Sequence, residues 1–306
     1  MSISTRCAAA GGSQAQRRQM ACAVRPRSTP VPAQCPDNLQ DTRKYFPDMD
    51  QNDPFERDNL KPAEALLMAQ ENARDYFQGE LYQKDGKQRL EGITIERPGD
   101  ATLVLDEAAT GKLFMIPDGS TVWALTVREK EDAPAGLDVM WNNVFMAENE
   151  NASVIAYRDE EGIFLRVDAL YIRRLILSAD APERLETVSF GLMAITVYRL
   201  GFDHIELFAA GNGPVDPDDP DGFVGFAVWP KFGFDAGLNP VELSIAPSEA
   251  LRACETVQDV LATDPDWWAQ HGRGREMRFD LRAYSRSWRI PLNYLYDLLP
   301  LPEIES

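Results

Sequence analysis

The chain has 306 residues, 44% hydrophobic and 26% charged, the make-up of a globular protein with room for a real core. Its 31 Lys and Arg face 49 Asp and Glu for a net charge of −18, so a nucleic-acid partner would have to overcome global repulsion and is excluded from the expectations. The longest uncharged run, Thr187 to Tyr198, is shorter than the roughly 18 apolar residues of a membrane span, and no membrane partner is expected.

From Met1 to Pro36 the charged residues are Arg6, Arg17, Arg18, Arg25 and Arg27, with no acid. Ser, Ala, Gln and Pro dominate, and without large apolar side chains the segment cannot offset its ordering entropy. A disordered tail, basic and then acidic, is predicted over residues 1–55. An Arg-rich, Ser-rich start fits an organellar transit peptide or a secretion leader; a tail without function fits equally. Ala8–Ala10 runs straight into Gly11 and Gly12, which leaves no apolar core for a Sec signal. Cys7, Cys22 and Cys35 lie in the tail and only Cys254 in the body. A disulfide framework is therefore not expected, and a reducing, cytoplasmic compartment is. Two histidines, His204 and His271, cannot make a multi-His metal site, and no metal is expected.

The first helix is predicted from Pro62 to Gln78, capped by Asp58 or Asn59 and stopped by Gly79. Short β-rich runs follow at Ile93–Glu96, Thr102–Leu105, Leu113–Ile116, Val122–Val127, Ser153–Tyr157, Ile163–Val167 and Tyr171–Leu177, several separated by turn clusters, and predict an antiparallel sheet. Thr187–Leu200 is apolar nearly all round, as a helix covered on most sides would be, and Gly201 ends it. His204–Ala210 reads as a strand with Gly211-Asn212-Gly213 as its exit, so strand, helix and strand predict a right-handed crossover between parallel neighbours. A helix from Ser248 to Ala262, a turn capped by Asp264 with Trp267 and Trp268 as an anchor, a strand near Met277–Leu281 and a helix near Ile290–Leu298 complete the chain.

Candidate chemistry is sparse. His204 and Glu206 lie two apart on one strand and so share a face. A general base poised near neutrality would have that environment; an interior pair satisfying each other, or Arg173, Arg174 or Arg199, would have it too. Asp216, Asp218, Asp219 and Asp221 crowd one insert, but Pro220 and Ala227 stand where an EF-hand needs acids, and a solvated turn or an acidic lip for a cationic amine remain the two readings. His271 reads as a loop residue. P-loop, H-E-x-x-H and G-x-S-x-G motifs are absent from the sequence, and Gly211-Asn212-Gly213 lacks the third Gly and the helix of a dinucleotide fingerprint.

Strand Tyr171–Leu177, loop Ser178–Val188, helix Thr187–Leu200, strand His204–Ala210 and the closing run Trp229-Pro230-Lys231-Phe232-Gly233-Phe234 together resemble the core of the GNAT superfamily of N-acetyltransferases. That family runs strand, pyrophosphate loop, helix and strand, then a helix ending in Tyr-x-x-x-Gly-Phe. The resemblance implies an α/β (α+β) fold with a mixed, mostly antiparallel central sheet flanked by helices over residues 56–245, and a helical C-terminal extension, residues 246–306, packed on the same domain. It implies acetyl-CoA as co-substrate and an amine on a small molecule or protein as acceptor. It further implies that the backbone of Leu175, Ile176 and Leu177 aligns the pantetheine arm, and that Arg184 and the N–H groups of Thr187, Val188, Ser189, Phe190 and Gly191 hold the pyrophosphate. Asn212 occupies a family Asn position, and Glu206 or His204 would take the proton of the amine. Two departures stand out. In Arg184-Leu185-Glu186-Thr187-Val188-Ser189, Thr187 replaces the family's middle Gly and Glu186 adds a negative charge. Trp229 occupies the position of the Tyr that many members use as general acid, and an indole N–H does not titrate usefully. The alternative reading is a catalytically silent module of this fold, or a delivered effector whose basic tail is the address.

Overall fold

The computed structural model describes residues 53–97, 102–130, 132–161, 165–214 and 223–298. The predicted tail, all but its last few residues, and most of the Asp-rich insert lie outside the described residues. Among the described residues nine strands form: β1 (Tyr82–Gln83), β2 (Ile93–Ile95), β3 (Leu103–Leu105), β4 (Thr121–Val127), β5 (Gly136–Asn142), β6 (Ala152–Glu161), β7 (Leu165–Arg174), β8 (His204–Asn212) and β9 (Arg273–Asp280). Seven of them make one sheet in the order β1-β4-β5-β6-β7-β8-β9, while β2 and β3 pair separately. The steps from β4 to β7 and from β8 to β9 are antiparallel, and β1/β4 and β7/β8 are parallel. The fold is thus mixed α/β with a mostly antiparallel sheet, as expected.

The parallel β7/β8 step is made by α4 (Leu185–Arg199), in which Leu185, Val188, Phe190, Leu192, Met193, Ala194, Ile195 and Val197 are all buried. A helix apolar on every side must be covered on every side. The sheet supplies one cover, through Ile205 and Leu207 of β8 and Phe279 of β9, whose ring lies 5.5 Å from that of Phe190. The other cover is α1 (Lys61–Met68), α2 (Glu71–Tyr76) and α3 (Glu107–Leu113), which pack on α4. The opposite face of the sheet carries a smaller cluster of Ala133, Ile155 and Tyr171.

Several elements differ from the sequence reading. The single helix over Pro62–Gln78 is a π-helical turn, Glu56–Leu60, running into α1, and then α2. The break falls at Gln70, which leaves the helical region at ψ 144 and folds its side-chain amide back onto the Leu66 carbonyl at 3.1 Å. Asp58 and Asn59 lie inside the π turn, and Asp53 instead accepts from the Phe55 N–H at 2.9 Å. The predicted strand Leu113–Ile116 is the last residue of α3 (Glu107–Leu113) and the turn that follows it. Asp106 caps that helix, and Met115 at φ 55 lets the Ile116 N–H reach the Gly111 carbonyl at 2.8 Å, a left-handed C-terminal wrap that buries all four apolar side chains. β5 has no counterpart in the sequence reading, and the two predicted strands across Ile163–Leu177 are one strand, β7. The helix over Ser248–Ala262 splits into α6 (Glu249–Arg252) and α7 (Val257–Thr263), because Thr256 and Asp259 form a reciprocal capping box.

The chain reaches α6 through α5 (Gly225–Val228) and a 3-10 turn over Trp229–Phe232 that Gly233 ends at φ 92. After α7, α8 (Pro265–His271) starts on Asp264, whose carboxylate accepts from the Trp267 N–H at 2.9 Å, and buries Trp267 and Trp268 as expected. His271 closes α8, its ring 5.0 Å from that of Trp267. The C-terminal region is more than a helical extension, since it supplies β9 to the sheet, and α9 (Arg286–Leu298) packs beside it. No described helix is long and apolar enough to cross a membrane.

Candidate functional site

The one parallel pair in the middle of the sheet is also where its pairing stops early. β7 and β8 are in register from Ala169/His204 to Ile172/Leu207 only, although β8 continues to Asn212 against β9. Beyond β7, Leu175 and Ile176 are buried and Leu177 is partly buried. The Ile176 carbonyl accepts from the Ala147 N–H at 3.0 Å and the Ser178 N–H donates to the Phe145 carbonyl at 2.8 Å, so these groups are taken by the turn that precedes β6. At the end of β8, Gly211 bridges Val224, and Gly225 lies against the backbone of Ala210. The chain returning from the insert thus closes onto β8 where β7 has left it. Two buried polar atoms near this closure, Ser178 Oγ and Trp229 Nε1, have no hydrogen-bond partner among the described residues.

On the face away from α4, His204 and Glu206 come together as the two-residue spacing predicts, with a third residue between them. His204 is 1% exposed. Its Nδ1 lies 3.0 Å from Asp203 Oδ2 and its Nε2 3.1 Å from the Tyr157 hydroxyl, which donates to Glu206 Oε2 at 2.6 Å. Glu206 Oε1 accepts from Arg278 Nε at 2.9 Å and from its terminal nitrogen at 2.8 Å. Facing a carboxylate, Nδ1 carries a proton. The single Tyr157 proton then serves either Glu206 or Nε2, so that the hydroxyl couples imidazole and carboxylate; their direct separation is 3.8 Å. Arg278 pairs with Glu206 in place of the candidates read from sequence. Arg173 pairs with Asp132 at 2.8 Å, Arg174 with Glu150 at 3.0 Å, and Arg199 with Glu56 at 2.7 Å. Tyr157 was available as a strand residue of alternating pattern, but its partners lie 47 and 49 residues away, a distance no local pattern carries.

The expected pyrophosphate donors lie at the start of α4. α4 begins two residues earlier than the spacing predicts, with Arg184 as N-cap at φ 66. The Val188 N–H donates to the Arg184 carbonyl at 3.0 Å, and those of Ser189, Phe190 and Gly191 are committed inside the helix. The Leu185 N–H donates to the Pro182 carbonyl at 3.1 Å and the Glu186 N–H is engaged by its own carboxylate, so the first-turn amide left over among the described residues is that of Thr187. Thr187, Val188, Ser189 and Phe190 are buried, and Gly191 faces Leu67 of α1. Arg184 is half-exposed, 3.9 Å from Glu183. Burial, with a smaller push from Glu183, raises the Glu186 carboxyl above its ordinary value. Asn212 is exposed at the end of β8, its Oδ1 accepting from the Gly274 N–H at 3.3 Å. Among the described residues no cluster of His, Cys, Asp and Glu could hold a metal.

Comparison with known proteins returns no match: no family model, curated protein or solved structure matches this chain.

Proposed function

We propose that the protein is an N-acyltransferase, moving an acetyl or related acyl group from coenzyme A to an amine. The observation that carries this reading is the parallel β7/β8 pair, joined by α4 inside an otherwise largely antiparallel sheet, whose hydrogen bonding ends at Ile172/Leu207. Crevices where neighbouring strands part at the head of a crossover helix are where α/β sheets take ligands. His204 and Glu206 stand on β8 of that pair, and Tyr157 reaches them from β6 across β7. In this reading Glu206 takes the proton of the amine, with Tyr157 and His204 as its relay. The amine nitrogen bonds to the acyl carbon as the carbon–sulfur bond breaks, and water protonates the departing thiolate, since Trp229 cannot. The thioester supplies the activated acyl group. The cytoplasm, rich in coenzyme A and reducing for Cys254, is the compartment that suits it.

A second reading, a binding module of the same architecture without the chemistry, is favoured by Gly211 bridging Val224 at the end of β8 and by Trp229, which is buried among Phe190, Phe232 and Phe234. Calorimetry and thermal shift with acetyl-CoA decide between them: no heat and no shift at millimolar ligand would refute the transferase. Arg184→Ala is expected to weaken binding by roughly 1.5–3 kcal/mol, the range for hydrogen bonds to charged groups, and Glu186→Gln to strengthen it.

A further inference from the structure

The two edges of the seven-stranded sheet, β9 and β4, are built differently. β9 presents Arg273, Arg275, Glu276, Arg278 and Asp280, and Asp235 exchanges backbone hydrogen bonds with Arg278 at 2.9 and 3.0 Å; charge and cover of this kind keep an edge from pairing. β4, Thr121-Val122-Trp123-Ala124-Leu125-Thr126-Val127, has no charge, no Pro and no bulge. β1 covers only its start. Tyr82 and Gln83 lie beside Thr121 and Val122, and the chain then turns back at Gly86, whose N–H donates to the Gln83 carbonyl at 2.8 Å. Because the Tyr82 N–H donates to the Ser120 carbonyl at 3.0 Å, alternation turns the backbone N–H and C=O of Val122, Ala124 and Thr126 toward that same side. β1 takes those of Val122. Those of Ala124 and Thr126 meet no partner among the described residues, and Ala124, Leu125 and Thr126 are exposed. On the face away from α4, Trp123, Leu125 and Val127 make an apolar row whose last member packs on Ile155 and Tyr171. Past Val127 the β4/β5 hairpin folds over that face, where Ala133 joins the same cluster and Asp132 pairs with Arg173 at 2.8 Å, and so leaves room for a strand alongside β4.

We propose that this edge is occupied by a second copy of the chain, paired antiparallel through β4 about a two-fold axis at Leu125, so that the two sheets join edge to edge. A two-fold contact sets the strand against itself, residue i on j and j on i. With the axis at Leu125, Ala124 faces the partner's Thr126, and the open N–H and C=O of each satisfy those of the other. An axis at Ala124 would set Thr126 against Val122, which β1 already holds; an axis at Thr126 would set Ala124 against the charged Arg128. On the outer face Leu125 meets its own counterpart at the close spacing of a non-hydrogen-bonded pair, and Trp123 lies beside the partner's Val127, so the cross-strand pairs are apolar throughout. The hairpin keeps its register to Lys130/Ala133, which leaves Glu129 on the face of Trp123. Pairing therefore carries the partner's Glu129 toward the end where the Lys84 ammonium lies 5.1 Å from the Trp123 ring centre. A chain of net charge −18 meets itself here along a strand without a carboxylate. The inference is independent of the acyl-transfer reading, since β5 and β6 separate β4 from the β7/β8 pair.

Sedimentation velocity of the full chain tests it, over roughly 1 µM to 1 mM because so short a contact lies at the weak end of specific interfaces. A monomer is expected to give way to a dimer as concentration rises, and to stop there, since a two-fold contact closes. Thr126→Pro removes an open N–H that β5 does not use, and Leu125→Lys puts two ammonium groups at the axis. Each should raise the dimer dissociation constant about tenfold or more, the order expected for hydrogen bonds lost in both copies, without lowering the melting temperature of dilute protein. Val144→Lys, at an exposed position in the turn before β6, should leave the dimer unchanged. Leu125→Cys under mild oxidation should give a disulfide between the two substituted positions, found by peptide mapping, because Cα atoms of such a pair stand about 4.5 Å apart, within disulfide reach. A chain that stays monomeric to about 1 mM overturns the proposal and leaves the edge to an extended segment of another protein. A dimer that persists in Thr126→Pro and Leu125→Lys, or one that yields to both but forms no cross-link at position 125, overturns the pairing. Growth beyond the dimer overturns the two-fold.

Discussion

Gly211→Ala probes the closure of β8 by the chain returning from the insert. Gly211 has φ 105, and a Cβ built there overlaps the Phe223 carbonyl and lies 3.1 Å from Phe226 Cδ1. The obstacle is main chain, so no rotamer change relieves it. Nor is that main chain free to retreat, because Phe226 is buried and its carbonyl accepts from Trp268 Nε1 at 3.0 Å. The cost has two parts. Positive φ costs an L-residue about 1–2 kcal/mol. Displacing the Phe223–Gly225 segment forfeits the Gly211–Val224 bridge, about 1 kcal/mol, and part of the Phe226 packing, whose complete loss would cost about 3–5 kcal/mol. A loss of about 3–4 kcal/mol is therefore expected. Gly201, at φ 75 with nothing within 4 Å of an added Cβ, supplies the control, since Ala there incurs the backbone term alone, about 1–2 kcal/mol. Urea unfolding followed by tryptophan fluorescence and circular dichroism measures both, and an unchanged m-value confirms that stability alone moved. If Gly211→Ala costs no more than Gly201→Ala, the returning chain does not close on β8 and the binding-module reading loses its support.

Gln258 is buried, and its Nε2 donates to the Pro230 and Phe234 carbonyls at 2.7 and 2.8 Å; Gln258→Ala removes both bonds, leaves the Pro230 carbonyl only its bond from the Gly233 N–H at 3.0 Å, and should cost about 1–3 kcal/mol. An unchanged melting temperature would contradict it. Tyr157→Phe removes the hydroxyl that joins Glu206 to His204 and should cost about 1–2 kcal/mol, with a change in the imidazole ¹⁵N shifts of His204; unmoved shifts would show that the ring does not sense Glu206 through Tyr157. Glu186 titrates above its ordinary 4.5 because it is buried, so the folded state holds that proton more tightly and wild-type stability falls as pH rises through the folded value. Glu186→Gln should therefore melt above wild type at pH 7 and alongside it below about pH 4, and a gap of equal size at both pH values would refute the assignment.

Where a local pattern had one physical solution, the sequence by itself determined the outcome. An apolar run from Phe190 to Leu200 ended by Gly201 can only be a covered helix, and Asp264-Pro265 starts a helix whatever lies around it. His204 and Glu206 share a face because strand side chains alternate. Leu113–Ile116 had two solutions, strand or helix end, and burial at the end of α3 chose the second. β5 was hidden because Asp138, 1% exposed in mid-strand, breaks its apolar pattern; Ser153 and Arg173, from two other strands, satisfy that carboxylate at 2.6 and 3.3 Å. Tyr157 and Arg278 reach Glu206 across 49 and 72 residues, and Val224 closes on Gly211 at the far side of the insert. These pairings depend on strand order and register, which are settled by burying α4 and one face of the sheet together. Only the tertiary structure could decide them.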